Sequence, residues 1–127
     1  MTDIHNQIST AKLNELQLKI WTILSEEEKY KDPLYTARQL SRDLGTNARY
    51  LSAVLQQRYG KSYSALVNEL RVKEAIRLMN TKRGQQLTME QLAKAVGYSC
   101  RQTFYNAFTS VTGGAPAGFK RKVKNEE

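Results

Sequence analysis

Residues Thr36 to Gly45 read TARQLSRDLG, and residues Thr88 to Gly97, which lie 52 positions later, read TMEQLAKAVG. In both copies a threonine stands three residues before a glutamine, which is the pattern of a capping box at a helix start. A leucine and a second apolar residue four positions later form a short stripe, followed by a glycine that can adopt the left-handed backbone of a helix end. The repeat therefore predicts two short helices, each followed by a sharp turn.

After each turn the sequence predicts a second helix. In the first copy, Asn47 is the expected cap, and the apolar positions are Leu51, Val54 and Leu55. In the second copy, Ser99 or Cys100 is the expected cap, and the apolar positions are Phe104, Ala107, Phe108 and Val111. At about 100° per residue, the side opposite the apolar stripe carries Arg49, Ser52, Ala53 and Gln56 in the first copy, and Gln102, Tyr105, Asn106 and Thr109 in the second. A short helix, a glycine turn and a second helix with a polar outward face are the helix-turn-helix signature, which is present twice.

A longer helix is predicted before the first copy, from Ala11 to Lys29. Its apolar face consists of Leu13, Leu16, Ile20, Ile23 and Leu24, with Trp21 at the edge. We expect it to end before Pro33, because the residue before a proline is pushed out of the α region.

Another helix is predicted between the copies, from Ser64 to about Met79, and its apolar face changes side along its length. The apolar residues are Tyr63, Leu66, Val67 and Leu70 on one side, then Val72, Ala75, Ile76 and Met79 on the other. This pattern favours a helix that links two small cores. The alternative is a helix buried on all sides in one larger core.

The composition of the chain excludes several kinds of site. Among its 127 residues there is one cysteine, Cys100, and one histidine, His5, so an intramolecular disulfide and a Cys/His zinc site are excluded. A Ser-His-Asp triad would need His5, which lies in a terminus expected to fray. No apolar run reaches the ~18 residues of a membrane span, and the N-terminus lacks the features of a secretory signal. We therefore expect a soluble, cytoplasmic, non-enzymatic protein without a metal or cofactor.

The formal net charge of +8 is distributed unevenly along the chain. Residues 1–34 carry four basic and six acidic side chains, whereas residues 35–127 carry sixteen basic and six acidic ones. This basic excess coincides with the repeat and favours a polyanionic partner. Nucleic acid is the first candidate and an anionic membrane surface is the second.

Taken together, these residues resemble the DNA-binding domain of the AraC/XylS family of bacterial transcription regulators over about Tyr30 to Lys122. The similar positions are the stretch Gly45-Thr-Asn-Ala-Arg-Tyr-Leu51, the stretch Ala93-Lys-Ala-Val-Gly97-Tyr98, and Phe104, Phe108, Thr112, Gly113 and Pro116. The resemblance implies an all-α fold of two helix-turn-helix subdomains joined by a long linker helix, with an extra N-terminal helix. The expected divisions are an N-terminal helix that packs on the first subdomain in 1–29, the first subdomain in 30–63, the linker helix in 64–80, the second subdomain in 81–122 and a disordered tail in 123–127.

The resemblance also implies that the second helix of each unit, about 47–59 and 100–111, enters the DNA major groove, with the two helices about one helical turn apart. The expected base-reading residues are Arg49, Ser52, Ala53, Gln56, Arg101, Gln102, Tyr105 and Asn106. The expected phosphate contacts are Thr36, Arg38, Asn47, Arg58, Lys61, Thr88, Ser99 and Thr109. Arginine suits guanine, and asparagine or glutamine suits adenine.

Two positions depart from the family pattern. Cys100 stands where the family usually has aspartate or serine as a helix cap, so it is interpreted as a small cap residue rather than a redox switch. Ala115 replaces the usual serine or threonine before Pro116, and Gly118 is a poor helix former, so a marginal last helix is expected.

The leading hypothesis is a sequence-specific regulator of transcription that binds double-stranded DNA, with activation as the commoner role in the family. RNA polymerase would then be a further partner. The chain could be a stand-alone monomer or the C-terminal part of a larger, dimeric sensor-regulator. The rival hypotheses are a non-specific architectural DNA-binding protein and a helical protein-interaction module.

Overall fold

The computed structural model describes residues 8–120, and every regular element within that range is helical. The helices are α1 (Thr10–Trp21), α2 (Ala37–Asp43), α3 (Ala48–Tyr59), α4 (Tyr63–Met79), α5 (Lys82–Gln85), α6 (Met89–Ala95), α7 (Arg101–Thr112) and a last helical segment, 116–120. No helix of this described range is long and apolar enough to cross a membrane. The predicted all-α fold class is confirmed. His5 and the tail 123–127 lie outside the described residues.

Contacts between residues divide this fold into two units. Unit 1 contains residues 8–29 and Leu34–Val67, and unit 2 contains Tyr30–Pro33 and residues 68–120. Each unit therefore holds one copy of the repeat. The short segment Tyr30–Pro33 belongs to unit 2, although the residues on both sides of it in the chain belong to unit 1.

The core of unit 1 forms where α1 and α2 pack against α3. Its buried residues include Leu13, Leu16, Ile20, Leu24, Leu40, Leu44, Leu51, Val54, Leu55, Leu66 and Val67. Polar contacts of Gln17 add to the packing of α1 on α3: its side-chain Oε1 accepts a hydrogen bond of 3.2 Å from Arg58 Nη1, and its backbone oxygen accepts one of 3.2 Å from the Tyr59 hydroxyl. The apolar face predicted for the N-terminal helix is thus the face that α1 buries.

The N-terminal helix ends earlier than the sequence predicts. Regular α geometry stops at Trp21, a π-helical turn follows over Thr22–Glu26, and a 3-10 turn covers Lys29–Lys31. Glu28 has a φ of 58°, a left-handed conformation that interrupts any helix. The predicted end at Lys29 is therefore wrong, because Glu27, Glu28 and Lys29 are exposed charged residues that bury no apolar surface by continuing the helix.

The core of unit 2 is built from α4, α6 and α7. Its buried residues are Val72, Ala75, Met79, Leu92, Ala93, Val96, Tyr98, Phe104, Ala107 and Phe108. The Phe108 ring packs edge-on against Phe104, with ring centroids 5.7 Å apart, and against Phe119, with centroids 5.0 Å apart. Phe119 lies in the segment 116–120, so the short last helix is packed against the core in spite of its poor cap.

Helix α4 contributes to both cores with different residues. Leu66 and Val67 are buried in unit 1, whereas Val72, Ala75 and Met79 are buried in the core of unit 2. The change of apolar face predicted from the sequence therefore corresponds to the change of core along this helix.

The short helix α5 was not predicted. Thr81 caps it by accepting a hydrogen bond of 2.9 Å from the Gly84 amide. A Cβ atom at Gly84 would lie 1.8 Å from the Leu78 carbonyl oxygen, so only glycine permits this close approach to the end of α4. A helix of four residues is too short to show a hydrophobic period, which is why the sequence pattern did not reveal it.

Candidate nucleic-acid interface

The first helix-turn-helix, α2 and α3, is held by its own local contacts. The hydroxyl of Thr36 accepts a hydrogen bond of 3.1 Å from the Gln39 amide at the start of α2. Gly45 has a φ of 72° in the turn, as the sequence predicts for a left-handed residue. Asn47 Oδ1 then accepts a hydrogen bond of 3.0 Å from the Tyr50 amide and so fixes the start of α3.

The outward face of α3 carries three of the four predicted base-reading residues. Arg49, Ser52 and Gln56 are exposed. Ala53 is only 2% exposed, so the prediction that it lies on the outward face is wrong. Both α1 and α2 pack against α3, and the buried part of its circumference is consequently wider than a single apolar stripe suggests.

The basic residues expected to contact phosphate in unit 1 differ in their surroundings. Arg38 is exposed on α2, and Lys61 is half-buried after α3. Arg58 is half-buried and donates to Gln17, so it lies on the side of α3 that faces α1. A phosphate contact at Arg58 stays a prediction, in which the nitrogen atoms other than Nη1 would face the DNA.

The second helix-turn-helix, α6 and α7, starts with a complete capping box. The Thr88 hydroxyl accepts a hydrogen bond of 3.1 Å from the Gln91 amide, and Gln91 Oε1 accepts one of 2.9 Å from the Thr88 amide. In the first copy, Thr36 supplies the same bond from its hydroxyl. The two threonines expected at helix starts are both at these positions, with exposed side chains.

The turn of the second unit is held by Arg71 of α4. Arg71 Nε donates a hydrogen bond of 2.6 Å to the Tyr30 carbonyl oxygen, and Nη2 donates one of 3.2 Å to the carbonyl oxygen of Asp32. Its guanidinium lies 4.9 Å from the centroid of the Tyr98 ring. Gly97 has a φ of 115°, and a Cβ atom there would lie 2.7 Å from both Arg71 Nε and the Tyr30 oxygen. The turn before α7 is thus fixed by residues distant in the sequence.

Tyr98 completes this arrangement. Its hydroxyl donates a hydrogen bond of 2.7 Å to Asn68 Oδ1, and its side chain is buried. Burial raises the pKa of Tyr98 to about 12, although Arg71 acts in the opposite direction. The tyrosine is therefore neutral at physiological pH and serves as a packed anchor for the turn.

Cys100 is the cap residue before α7, and its side chain makes no capping hydrogen bond to the backbone. The thiol lies 3.2 Å from the Thr103 hydroxyl and is exposed. Hydrogen bonding from Thr103 lowers the pKa of the Cys100 thiol, and the amides at the helix start act in the same direction. Ser99, the alternative cap in the sequence analysis, is exposed just before it.

The outward face of α7 consists of side chains that contact one another. Arg101, Gln102, Asn106 and Thr109 are exposed, and Tyr105 is half-buried. Gln102 Nε2 donates a hydrogen bond of 2.9 Å to Asn106 Oδ1. The Arg101 guanidinium lies 5.1 Å from the centroid of the Tyr105 ring. All four predicted base-reading residues of this unit therefore lie on one part of the helix surface.

One predicted core position of α7 is wrong. Val111 is 43% exposed, since the buried residues of this helix end at Phe108 and the helix itself ends at Gly113, which has a φ of 82°. Lys82 and Arg83, which no sequence pattern identified, are exposed at the start of α5 and add positive charge to unit 2. Lys120, from the basic cluster at the C-terminus, donates to the Leu87 carbonyl oxygen.

Comparison with known proteins identifies the family to which this fold belongs. A model of the helix-turn-helix domain family, of the AraC type, matches residues 40–122. The chain belongs to the AraC-type helix-turn-helix family. The family resemblance in the sequence is thereby confirmed, and this domain binds double-stranded DNA. No significant match is found among curated proteins.

Solved structures share the fold of this AraC-type domain. The C-terminal domain of AraT, a response regulator from Geobacillus stearothermophilus, is 22% identical with a TM-score of 0.71, over 87% of this chain and 84% of that one. The C-terminal domain of the two-component response regulator yesN from Fusobacterium nucleatum is 24% identical with a TM-score of 0.72, over 84% and 98%. A DNA-binding transcriptional dual regulator from Escherichia coli K-12 is 18% identical with a TM-score of 0.71, over 87% and 93%.

Proposed function

We propose that this domain is a sequence-specific regulator of transcription, in which α3 and α7 each enter a segment of the DNA major groove. The observation that supports this most directly is the chemistry of the outward helix faces. They present exposed hydrogen-bonding groups, namely Arg49, Ser52, Gln56, Arg101, Gln102 and Asn106. A protein-binding surface would instead be expected to carry central tryptophan, tyrosine or leucine side chains.

The two units are proposed to contribute unequally to base recognition. On α3, Arg49 can bond guanine and Gln56 can bond adenine, while Ser52 offers a single short hydroxyl. On α7, Arg101, Gln102 and Asn106 are all exposed; Gln102 bonds to Asn106, and Arg101 lies over the Tyr105 ring. We therefore expect the half-site read by α7 to carry the larger share of sequence information.

Contacts to phosphate are proposed to provide affinity without sequence preference. The candidates are Thr36, Arg38, Asn47, Arg58, Lys61, Thr88, Ser99 and Thr109. The hydroxyl and amide caps among them stand at helix starts, where backbone amides favour an anion. If six to eight phosphates are neutralised, the logarithm of the binding constant should fall with the logarithm of salt concentration at a slope of roughly −5 to −7.

The biological role follows from the proposed binding. Activation of transcription would require a contact with RNA polymerase, and a regulator of bacterial genes acts in the cytoplasm, where the chromosome lies. We expect neither catalysis nor a cofactor in this role. No group of three or more potential metal ligands is present in the described part of the chain.

Selection of bound duplexes from a random pool at ~150 mM salt tests the proposal, because non-specific binding is weak in that range. We expect an enriched motif with two half-sites whose centres are about 10 base pairs apart. Recovery of duplexes without any enriched motif would indicate an architectural protein, and absence of binding would indicate a protein-interaction module.

Matched variants assign each half-site to a helix. Gln56→Ala should relax sequence preference only in the half-site read by α3, and Gln102→Ala only in the half-site read by α7. Each substitution should reduce discrimination at the affected base by about 5- to 150-fold, which corresponds to ~1 to 3 kcal/mol. Equal relaxation of both half-sites by either variant would contradict the assignment.

A further inference from the structure

We propose that Gln102 and Asn106 recognise DNA as a coupled pair, in which Gln102 reads adenine and Asn106 reads guanine or thymine. This inference rests on the proposed function and specifies the bases that α7 selects. It differs from the simple sequence expectation, under which both amides would read adenine.

The pair is defined by one hydrogen bond on the exposed surface of α7. Gln102 Nε2 donates to Asn106 Oδ1 over 2.9 Å. The two residues are four positions apart, a spacing that places side chains on the same face of a helix. Both are exposed, so the bond leaves the remaining polar atoms of the two amides available to a ligand.

The bond leaves Gln102 with the groups that adenine requires. A glutamine amide has two N–H donors and one carbonyl acceptor. One donor is directed to Asn106, so Gln102 keeps one N–H and its Oε1 for DNA. Adenine presents N7 as an acceptor and the N6 amino group as a donor in the major groove. The bond to Asn106 therefore orients the Gln102 amide for a bidentate contact with adenine.

The same bond prevents Asn106 from making the two hydrogen bonds by which asparagine usually contacts adenine. Its Oδ1 accepts from Gln102 and cannot turn toward a base unless that bond breaks, whereas its Nδ2 keeps two N–H donors. While the bond to Gln102 directs Oδ1 along the helix surface, the Nδ2 donors are the Asn106 atoms left to face a base, and donors are complementary to an edge that accepts. Guanine offers N7 and O6, and thymine offers O4. Asn106 is therefore expected to select guanine or thymine and to reject adenine.

The neighbouring side chains do not compete for this bond. The Arg101 guanidinium lies over the Tyr105 ring, 5.1 Å from its centroid, and this second pair occupies the adjacent part of the helix face. In the first unit, the positions that correspond to Gln102 and Asn106 are Arg49 and Ala53, and Ala53 is buried. The coupled pair thus belongs to α7 alone, and α3 provides an internal control.

The test repeats the duplex selection with Asn106→Ala, Asn106→Asp and Gln102→Ala, using the intact chain. Asn106→Ala should weaken the preference for adenine at the Gln102 position by about 2-fold, because the glutamine is no longer oriented by the hydrogen bond between the two side chains. Asn106→Asp keeps an acceptor for Gln102 but replaces the outward donors with an acceptor. Its preferred base should change to cytosine, which presents the N4 amino donor, while adenine at the Gln102 position is retained.

A double-variant cycle measures the coupling on the selected duplex. If the pair acts as a unit, Gln102→Ala combined with Asn106→Ala should weaken binding by about the same factor as the more severe single variant. Replacing the adenine read by Gln102 with 7-deazaadenine, which lacks the N7 acceptor, should weaken wild-type binding and leave Gln102→Ala unaffected. The half-site read by α3 should be unchanged in every variant, because α3 belongs to unit 1, and far-UV circular dichroism should show that α7 is still folded.

The outcomes separate this inference from the proposed function. An enriched motif with adenine at the Asn106 position, or multiplicative effects of the two single alanine variants, would overturn the coupled pair while the regulator function stands. Selection without any enriched motif would overturn both. A guanine or thymine at the Asn106 position, together with the change to cytosine in Asn106→Asp, would establish the coupled pair.

Discussion

The two helix-turn-helix units share one sequence pattern but position their second helices by different means. In the first unit, the Asn47 side chain caps α3, and Gly45 has open space around its α-carbon. In the second unit, Cys100 provides no such cap, and Gly97 is packed against Arg71 and the Tyr30 carbonyl oxygen. A repeated motif can therefore be held locally in one copy and by distant parts of the chain in the other.

The two glycines provide the strongest test of this difference. Gly97→Ala should lower the free energy of unfolding by about 3 kcal/mol or more, because a left-handed residue and a steric overlap are combined. Gly45→Ala should cost only about 1 to 2 kcal/mol, since the conformation alone is unfavourable there. Gly118→Ala is the control, because that glycine has neither a positive φ nor a close neighbour, and it should be neutral or slightly stabilising. Chemical denaturation measures all three, and equal losses for Gly45 and Gly97 would contradict the comparison.

The next largest effect is expected at Arg71. Arg71→Ala removes two bonds from a charged donor to backbone oxygens and a contact with an aromatic ring, so a loss of about 2 to 3 kcal/mol is expected. Arg58→Ala is the matched variant in unit 1, where a single side-chain bond to Gln17 should contribute about 0.5 to 1.5 kcal/mol. Hydrogen exchange should locate the loss in unit 2 for Arg71 and in unit 1 for Arg58. Protection lost equally from both units in the Arg71 variant would argue against a local role.

The helix caps should give smaller and opposite effects. Asn47→Ala should lower stability by about 1 kcal/mol, because the Tyr50 amide loses its partner. Cys100→Asp should raise stability by about 0.5 to 1 kcal/mol, since a carboxylate can accept from the amides at the start of α7. Cys100→Ala is the control and should change little. Thermal unfolding of the three variants checks the order, and a destabilised Cys100→Asp variant would show that the thiol has a contact that aspartate cannot replace.

Alkaline pH tests the same comparison through the buried Tyr98 of unit 2. The pKa of Tyr98 is about 12 in the fold because the side chain is buried, against an ordinary value of 10.0. The unfolded chain therefore loses this proton first, so the contribution to stability is complete below pH 10 and is lost as pH rises toward 12. Urea titrations at several alkaline pH values should show a smaller decline for Tyr98→Phe. Some decline should persist, because burial also raises the pKa of Tyr35 and Tyr59.

The elements that the sequence predicted well are those whose signals are local. The capping threonines, the glycine turns and the spacing of Leu51, Val54 and Leu55 all act within a few residues, so their positions follow from the pattern itself. The family resemblance, which depends on the same residues, was confirmed as well.

The sequence predictions fail or are missing where contacts between distant parts of the chain determine the position of a residue. Ala53 is buried, and both α1 and α2 pack against α3, which a helical wheel of α3 alone cannot show. The role of Arg71 depends on the carbonyl oxygens of Tyr30 and Asp32, which are about forty residues away in the chain. The bond between Gln102 and Asn106 is allowed by their spacing, but the sequence alone does not say which amide donates.

The segment Tyr30–Pro33 has a consequence for how the domain can be divided. Unit 2 is not encoded by one continuous stretch, because it takes these four residues from between two parts of unit 1. A fragment that starts at Asn68 would retain α6 and α7, but its Arg71 would lack the backbone acceptors that Tyr30 and Asp32 supply. The two helix-turn-helix units therefore have separate cores, but no single cut of the chain assigns every residue to its own unit.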